Sequence, residues 1–279
     1  MADVSDFNLV FRTEKQPVAS RIKQVYIELS THCNLSCRSC VRNSIIDFKK
    51  TNYSPAMMRK ILPMLKNLKL DRIVLLGFGE ALCNPHAKSL LSSLRSLDTK
   101  IYLVTNAAFL SDSMSAFLVG LPIDEIFVSW DDDIESGNNV IRQGMKTDVF
   151  RRNIEALIKI KTASAGRRPR IGMQMVATKS NYRFIPQNID YGHSIGIDTF
   201  IISNLFPYSK TMENEILYMV GSKPVINLKK YLQQQTKKYN IRIANQSVDV
   251  TRKCPFIERG TLFIAANGEV SPCPELAYT

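Results

Sequence analysis

Apolar positions fall along this chain in short, nearly continuous runs separated by stretches of mixed character. The runs are VYIEL (Val25 to Leu29), RIVLLG (Arg72 to Gly77), IYLVTN (Ile101 to Asn106), EIFVSW (Glu125 to Trp130), RIGMQMVA (Arg170 to Ala177) and TFIISN (Thr199 to Asn204). Most are rich in β-branched residues and apolar on both faces, the pattern of strands buried in a parallel sheet. Between them the sequence turns amphipathic. Ser54-Pro55 supplies an N-cap and first-turn pair for a helix running towards Leu68, with a kink expected at Pro63. Phe150, Ile154, Leu157, Ile158 and Lys161 follow the spacing of a helix with one buried face. Six strand–helix repeats of this kind predict an α/β fold: a parallel sheet with right-handed crossovers, curved into a barrel or partial (β/α)6 barrel. In such a fold the loops after the C-terminal ends of the strands carry the chemistry.

After Asn204 the pattern changes. LFPYSKTMENEILY reads as a loop leading into a short helix, and Pro224 to Tyr239 as a second helix. TLFIAANGEVSPCPE reads as a hairpin with its turn at Asn267-Gly268. The chain therefore divides into a core at 1–205 and a small α+β extension at 206–279.

Composition narrows the class. Apolar residues make up 45% of the 279 and charged residues 22%, the balance of an ordinary globular protein. No apolar run approaches the roughly 18 residues of a membrane helix. The N-terminal MADVSDFNLVFRTEK carries acids early and lacks an apolar segment, so a cytoplasmic location without a secretory signal is expected. Disulfides are rare there, and clustered cysteines point to metal binding or catalysis. The net charge of +12 is spread over short clusters such as Lys49-Lys50, Arg167-Arg168-Pro169-Arg170 and Lys237-Lys238. No basic helix or ribbon with interleaved aromatics appears, so the charge suits an acidic protein or peptide partner better than nucleic acid.

Half of the six cysteines lie within eight residues, in STHCNLSCRSCVRNS, directly after the first predicted strand. A structural zinc site wants four ligands, usually as two separated pairs. His32 is an available fourth, but beside Cys33 it points to the opposite side of an extended backbone. Three thiolates on a tight loop can instead hold three irons of a 4Fe–4S cube and leave the fourth iron open. C-x3-C-x2-C in this position resembles the radical S-adenosylmethionine (SAM) superfamily. That resemblance implies a 4Fe–4S cluster on Cys33, Cys37 and Cys40, with SAM bound to the open iron through its amino and carboxylate groups. It also implies reductive cleavage of SAM to a 5′-deoxyadenosyl radical, with electrons from a flavodoxin- or ferredoxin-type donor.

The following loops match in order. GFGE, Gly77 to Glu80, is similar to the family's GGE motif, with Phe78 in place of its second glycine. The resemblance gives Gly77, Phe78 and Gly79 backbone approach to SAM and Glu80 a role towards the SAM ammonium. Asn106 closes a TN turn, and Ser129 in VSWDD lies where the family meets the carboxylate or ribose of SAM. Arg142, in IRQG, becomes the cation for the SAM carboxylate, a planar fork suited to that group. Ser39 replaces the aromatic that often precedes the third cysteine, and the adenine is then expected near Ile202 and Leu205 by analogy. No acid–base pair for substrate chemistry stands out, as expected where a cofactor performs the hard step.

Cys254 and Cys273 bracket the hairpin, with Gly268 five positions before Cys273. This resembles the opening half of the SPASM or twitch extensions that follow radical SAM barrels, and it implies ligands for an auxiliary iron–sulfur cluster. Two thiolates are half a ligand set. The rest would come from Cys83, a non-cysteine ligand, another subunit or further residues, and the alternative is a pair of unligated thiols. The phrases CNLSCRSCVRNS, VATKSNY and ISNLFPYSKTMENEILY look most like SPASM-type maturases of tungsten and other metalloenzymes. The broader branch modifies ribosomal peptides or protein side chains, so a protein or peptide substrate is expected either way. Two readings from other classes stay open, a zinc-binding adaptor and a basic RNA-modifying enzyme.

Overall fold

The computed structural model describes residues 22–45, 48–137, 140–164, 166, 168–218, 223–244 and 254–278. The N-terminal stretch and Arg167 lie outside these. All six apolar runs form strands: β1 (Gln24–Ile27), β2 (Arg72–Leu75), β3 (Lys100–Thr105), β4 (Glu125–Ser129), β5 (Arg170–Ala177) and β6 (Thr199–Asn204). They pair in sequence order, each parallel to the next. Helices α1 (Pro55–Asn67), α2 (Ala87–Ser93), α3 (Asp112–Val119), α4 (Thr147–Ala163) and α5 (Ile185–Ser194) fill the crossovers. Ser54 caps α1 by accepting the Met57 N–H at 3.1 Å, and the helix runs on through Pro63.

The segment beyond residue 205 returns to the same sheet at both edges. After α6 (Lys210–Asn214) and α7 (Lys223–Tyr239), β7 (Arg242–Ala244) pairs with β6 in parallel. After α8 (Pro255–Glu258), β8 (Thr261–Ile264) pairs in parallel with β1, Val25 opposite Leu262 and Ile27 opposite Ile264. The expected hairpin follows. β9 (Val270–Ser271) turns back on β8, and Gly268 takes a φ of +89° that a side chain would resist. Among the described residues the strands make one nine-stranded sheet in the order β7-β6-β5-β4-β3-β2-β1-β8-β9.

Side-chain alternation gives this sheet two different faces. One packs Ile27, Ile73, Leu103, Ile126, Met173 and Phe200 against Leu65, Leu90, Leu118, Phe150, Leu157 and Ile189 of the helices. The other carries Tyr26, Val74, Tyr102, Phe127, Gln174 and Ile201 and lines an open cavity of about 810 Å³. The strand-end loops close over the upper end of that cavity.

Candidate active site

Cys33, Cys37 and Cys40 all border this cavity from the loop after β1. Local bonds fix the sulfurs of Cys33 and Cys40. The Leu35 N–H donates to Cys33 Sγ at 3.4 Å and Asn106 Nδ2 at 3.6 Å, while the Cys40 thiol donates to the Phe78 carbonyl at 3.7 Å. Arg42 was not anticipated from sequence. Its Nε donates to Cys40 Sγ at 3.3 Å and its Nη2 to the Leu35 carbonyl at 2.9 Å, so one guanidinium ties the loop's ends together and brings positive charge to the thiols. Burial pushes the Cys33 thiol up and the Cys37 thiol to about 11, with Arg42 and Arg142 pulling in the opposite direction. Such thiols stay protonated until a metal displaces the proton. His32 does not line the cavity, and among the described residues no three His, Cys, Asp or Glu side chains converge on a single-ion position.

The loop after β2 forms the next wall. A Cβ on Gly77 would fall 2.2 Å from Glu28 Cγ, and one on Gly79 would fall 2.0 Å from the Ser30 carbonyl oxygen. Both glycines are therefore required by close passage over β1. Phe78 turns its ring into the cavity, edge-on to Tyr208 and Tyr278. Glu80 is fully engaged: Oε1 accepts the Leu82 N–H and the Thr105 hydroxyl, at 3.1 and 2.8 Å, and Oε2 accepts the Asn106 N–H at 2.7 Å. Burial raises its pKa against those bonds. Its carboxylate clamps the β2 loop to the end of β3, and Asn106 in turn reaches Asn34 Oδ1 at 2.8 Å on the cysteine loop.

Ser129 lines the cavity at the end of β4. Beyond it, Asp131 Oδ1 accepts the Val176 N–H at 2.7 Å, and Oδ2 pairs with Arg142 at 2.8 Å. Asp132 accepts the Ile141 and Arg142 N–H groups, each at 2.7 Å, which fixes the IRQG segment. Burial works against the Arg142 charge, but Asp131 beside it overcomes this and holds its pKa above the usual guanidinium value. Arg142 borders the cavity, and its Nε is buried with no partner. Ile202 is buried in the core on the other face of β6, and Ile201, Ser203 and Leu205 line the cavity instead. A second recess of about 40 Å³, mostly apolar, lies among Ser39, Ile141, Thr178, Leu205 and Met212.

Glu28, an acid inside the apolar run VYIEL and directly after β1, also escaped the sequence reading. It accepts the N–H groups of Phe78 at 2.7 Å and Ala266 at 3.2 Å and the hydroxyl of Tyr278. One buried carboxylate thus joins β1, the β2 loop and the C-terminal hairpin. Cys254, just before α8, is exposed, and Cys273, just after β9, is buried; Cys254 lies near enough to raise the Cys273 thiol further, and neither borders the cavity.

A family model described as the radical SAM superfamily matches residues 27–168, just over half of the chain. The chain belongs to the radical SAM superfamily. Membership makes it an enzyme of that class and implies SAM and a 4Fe–4S cluster. The residues fit that pair: three thiols open on one cavity without a fourth among its lining, and an unpartnered guanidinium nitrogen stands beside them. A tungsten-containing aldehyde ferredoxin oxidoreductase cofactor-modifying protein of Pyrococcus furiosus is 27% identical over 262 residues, 92% of this chain and 72% of that protein. Streptococcus suis SuiB, solved with SAM, superposes with a TM-score of 0.70 at 19% identity, covering 91% of this chain. The protein anSMEcpe, also solved with SAM, gives a TM-score of 0.65 at 16% identity over 90% of this chain. This chain spans 60% of SuiB and 74% of anSMEcpe, and the likeness shows that the radical SAM fold is shared. Among the described residues no helix is long and apolar enough to cross a membrane.

Proposed function

We propose that this chain cleaves SAM reductively and uses the resulting radical to mature a partner metalloenzyme or its cofactor. The observation that carries the SAM reading is the shared cavity of Cys33, Cys37, Cys40 and Arg142, in which the arginine's Nε has no protein partner. When bound at these thiols, a 4Fe–4S cluster supplies the electron that breaks the SAM sulfonium bond, giving methionine and a 5′-deoxyadenosyl radical. The protein's own residues orient and enclose. Arg142 meets the SAM carboxylate with its free Nε while Asp131 holds Nη2 of the same guanidinium. The backbone of Gly77 to Gly79 passes along the SAM amino group, Glu80 and Asn106 brace that loop, and Ser129 faces the carboxylate or ribose. The adenine lies against Leu205, where that residue lines the cavity.

The maturase reading draws on the Pyrococcus relative, which covers nearly the whole chain. A second reading, modification of a peptide or protein side chain, draws on SuiB bound to its precursor peptide SuiA and on anSMEcpe bound to Cp18Cys peptide. Both imply a protein or peptide partner and a flavodoxin- or ferredoxin-type electron donor. Cys254 and Cys273 supply two thiolates towards an auxiliary cluster of SPASM or twitch type. Anaerobic reconstitution with iron and sulfide, then dithionite and SAM, tests the central step. We expect 5′-deoxyadenosine from the wild type and none from Cys37→Ala. Equal behaviour of the two proteins overturns the proposal.

A further inference from the structure

The cavity that holds the cysteine loop continues down the sheet to the starts of the strands, and there it becomes cationic. Arg72 opens β2, Lys100 opens β3, Arg170 opens β5 and Arg242 opens β7; Arg259 follows α8, and all five line this one cavity. Register places Arg72 opposite Lys100 and Arg170 opposite Glu125. Glu125, its side chain 2% exposed, is the carboxylate among them, bonded to Arg170 and to Arg242 Nη2 at 2.9 Å. The neighbouring Asp124 faces Arg168 at 3.1 Å, and the guanidinium of Arg72 lies over the Tyr102 ring at 5.4 Å from its centroid. Of the cavity's other carboxylates, Glu275 acts on the same Tyr26 ring as Arg72 and Arg259, with the opposite sign of charge. Glu80 is engaged at the strand ends, and Glu275 enters from the helical turn after β9.

Inward positions in a parallel barrel are ordinarily filled by branched apolar side chains in layers. Here the open lower end gathers five cations around the buried Glu125, four of them exposed to solvent, with Glu275 the other carboxylate near them, a local excess of like charge. Arginine and lysine so placed match phosphate or carboxylate groups. At about 3.3 Å per residue the floor lies roughly 15–20 Å below the loops at the end of β3. A ligand anchored at the floor therefore extends towards the cysteine loop.

We propose that the floor of this cavity binds the anionic end of the substrate, a phosphate or carboxylate group held by Arg72, Lys100, Arg170 and Arg242. The placement of the reacting end rests on the radical SAM reading; the anion site does not. Titrating the full chain with propane-1,3-diol bisphosphate and, separately, with glutarate, by calorimetry, tests the site and distinguishes the two sources. Binding of either, weakened by added salt, is expected. Arg72→Gln with Lys100→Gln should weaken it at least tenfold, and so should Arg170→Gln made together with Glu125→Gln, which leaves no buried carboxylate unpaired. Melting temperatures verify that the variants fold. Lys60→Gln with Lys66→Gln on the exposed face of α1 should bind as wild type. No binding of either anion, wild-type binding by the floor variants, or equal weakening by the α1 control overturns the proposal. SAM binding titrated on the same wild-type samples separates a failure of the anion site from a failure of the SAM reading.

Discussion

The carboxylate of Glu28 accepts the backbone N–H of Phe78 at 2.7 Å and, from the far end of the chain, that of Ala266 at 3.2 Å. The residue immediately after the first strand thereby sets the path of the β2 loop and seats the C-terminal hairpin beside it. Glu28→Ala removes the acceptor from three buried donors, and we expect a loss of about 2–4 kcal/mol in chemical denaturation. The pH dependence has a defined sign. Burial raises the Glu28 pKa in the folded state, so the native protein holds this proton more tightly than the unfolded chain. Its favourable contribution is complete below the unfolded carboxylate pKa and disappears as pH rises through the higher folded value. Wild type measured against Glu28→Gln should therefore gain relative stability as the pH is lowered from neutral; a flat difference contradicts this account.

Gly79→Ala tests whether the glycines of GFGE serve packing as well as cofactor approach. The added methyl would sit 2.0 Å from the Ser30 carbonyl oxygen, a backbone atom that cannot swing aside. We expect more than about 4 kcal/mol of destabilisation, or failure to accumulate folded protein. A melting temperature within a few degrees of wild type would show that the loop has room to shift.

The strands were legible because runs such as IVLL and FII carry apolar side chains on both faces, which leaves a continuous apolar signature even where one face lines the cavity. The same property hid which residue of β6 faces the cavity. With apolar side chains on both sides, nothing in TFIISN fixes the parity, so Ile202 and its neighbours Ile201 and Ser203 exchange roles with a one-residue change of face. The hairpin at Asn267-Gly268 is a local signal and was readable. The pairing of β8 with β1 joins Val25 to Leu262 across most of the chain and leaves no local mark. Glu28 offered a signal that the motif reading passed over: an acid within an apolar strand must find donors when buried. Arg42 offered none, because an arginine two positions after a cysteine looks like any surface charge until the fold brings it back to Cys40.

Arg142 is held by Asp131 at 2.8 Å in a nearly dry setting, which separates its structural role from its role towards SAM. Arg142→Met leaves Asp131 buried and unpaired, at a cost of about 3–5 kcal/mol. Adding Asp131→Asn should restore most of that stability. SAM affinity should remain at least about tenfold below wild type in both variants, the loss expected for one charged hydrogen bond. Recovery of SAM affinity in the double variant would place the carboxylate contact elsewhere.

Arg42→Gln removes the guanidinium that ties Cys40 to the Leu35 carbonyl. The three thiols remain, so we expect reconstitution to proceed but the loop to hold its iron less firmly. Iron and acid-labile sulfide measured after repeated desalting should fall below wild type in Arg42→Gln, with Arg42→Lys intermediate because it keeps the charge without the fork. Iron retention equal to wild type would assign Arg42 to loop packing alone.

Cys254 lies close enough to act on the Cys273 thiol, outside the cavity that holds the other three thiols. If they serve an auxiliary cluster, the reconstituted wild type holds about eight irons per chain, and Cys254→Ala with Cys273→Ala removes about four. The triple change of Cys33, Cys37 and Cys40 to alanine should remove a comparable number and abolish 5′-deoxyadenosine formation, whereas the hairpin pair retains SAM cleavage with dithionite. A wild type with about four irons, unchanged by the hairpin substitutions, would leave the two cysteines as unligated thiols beside a strand turn.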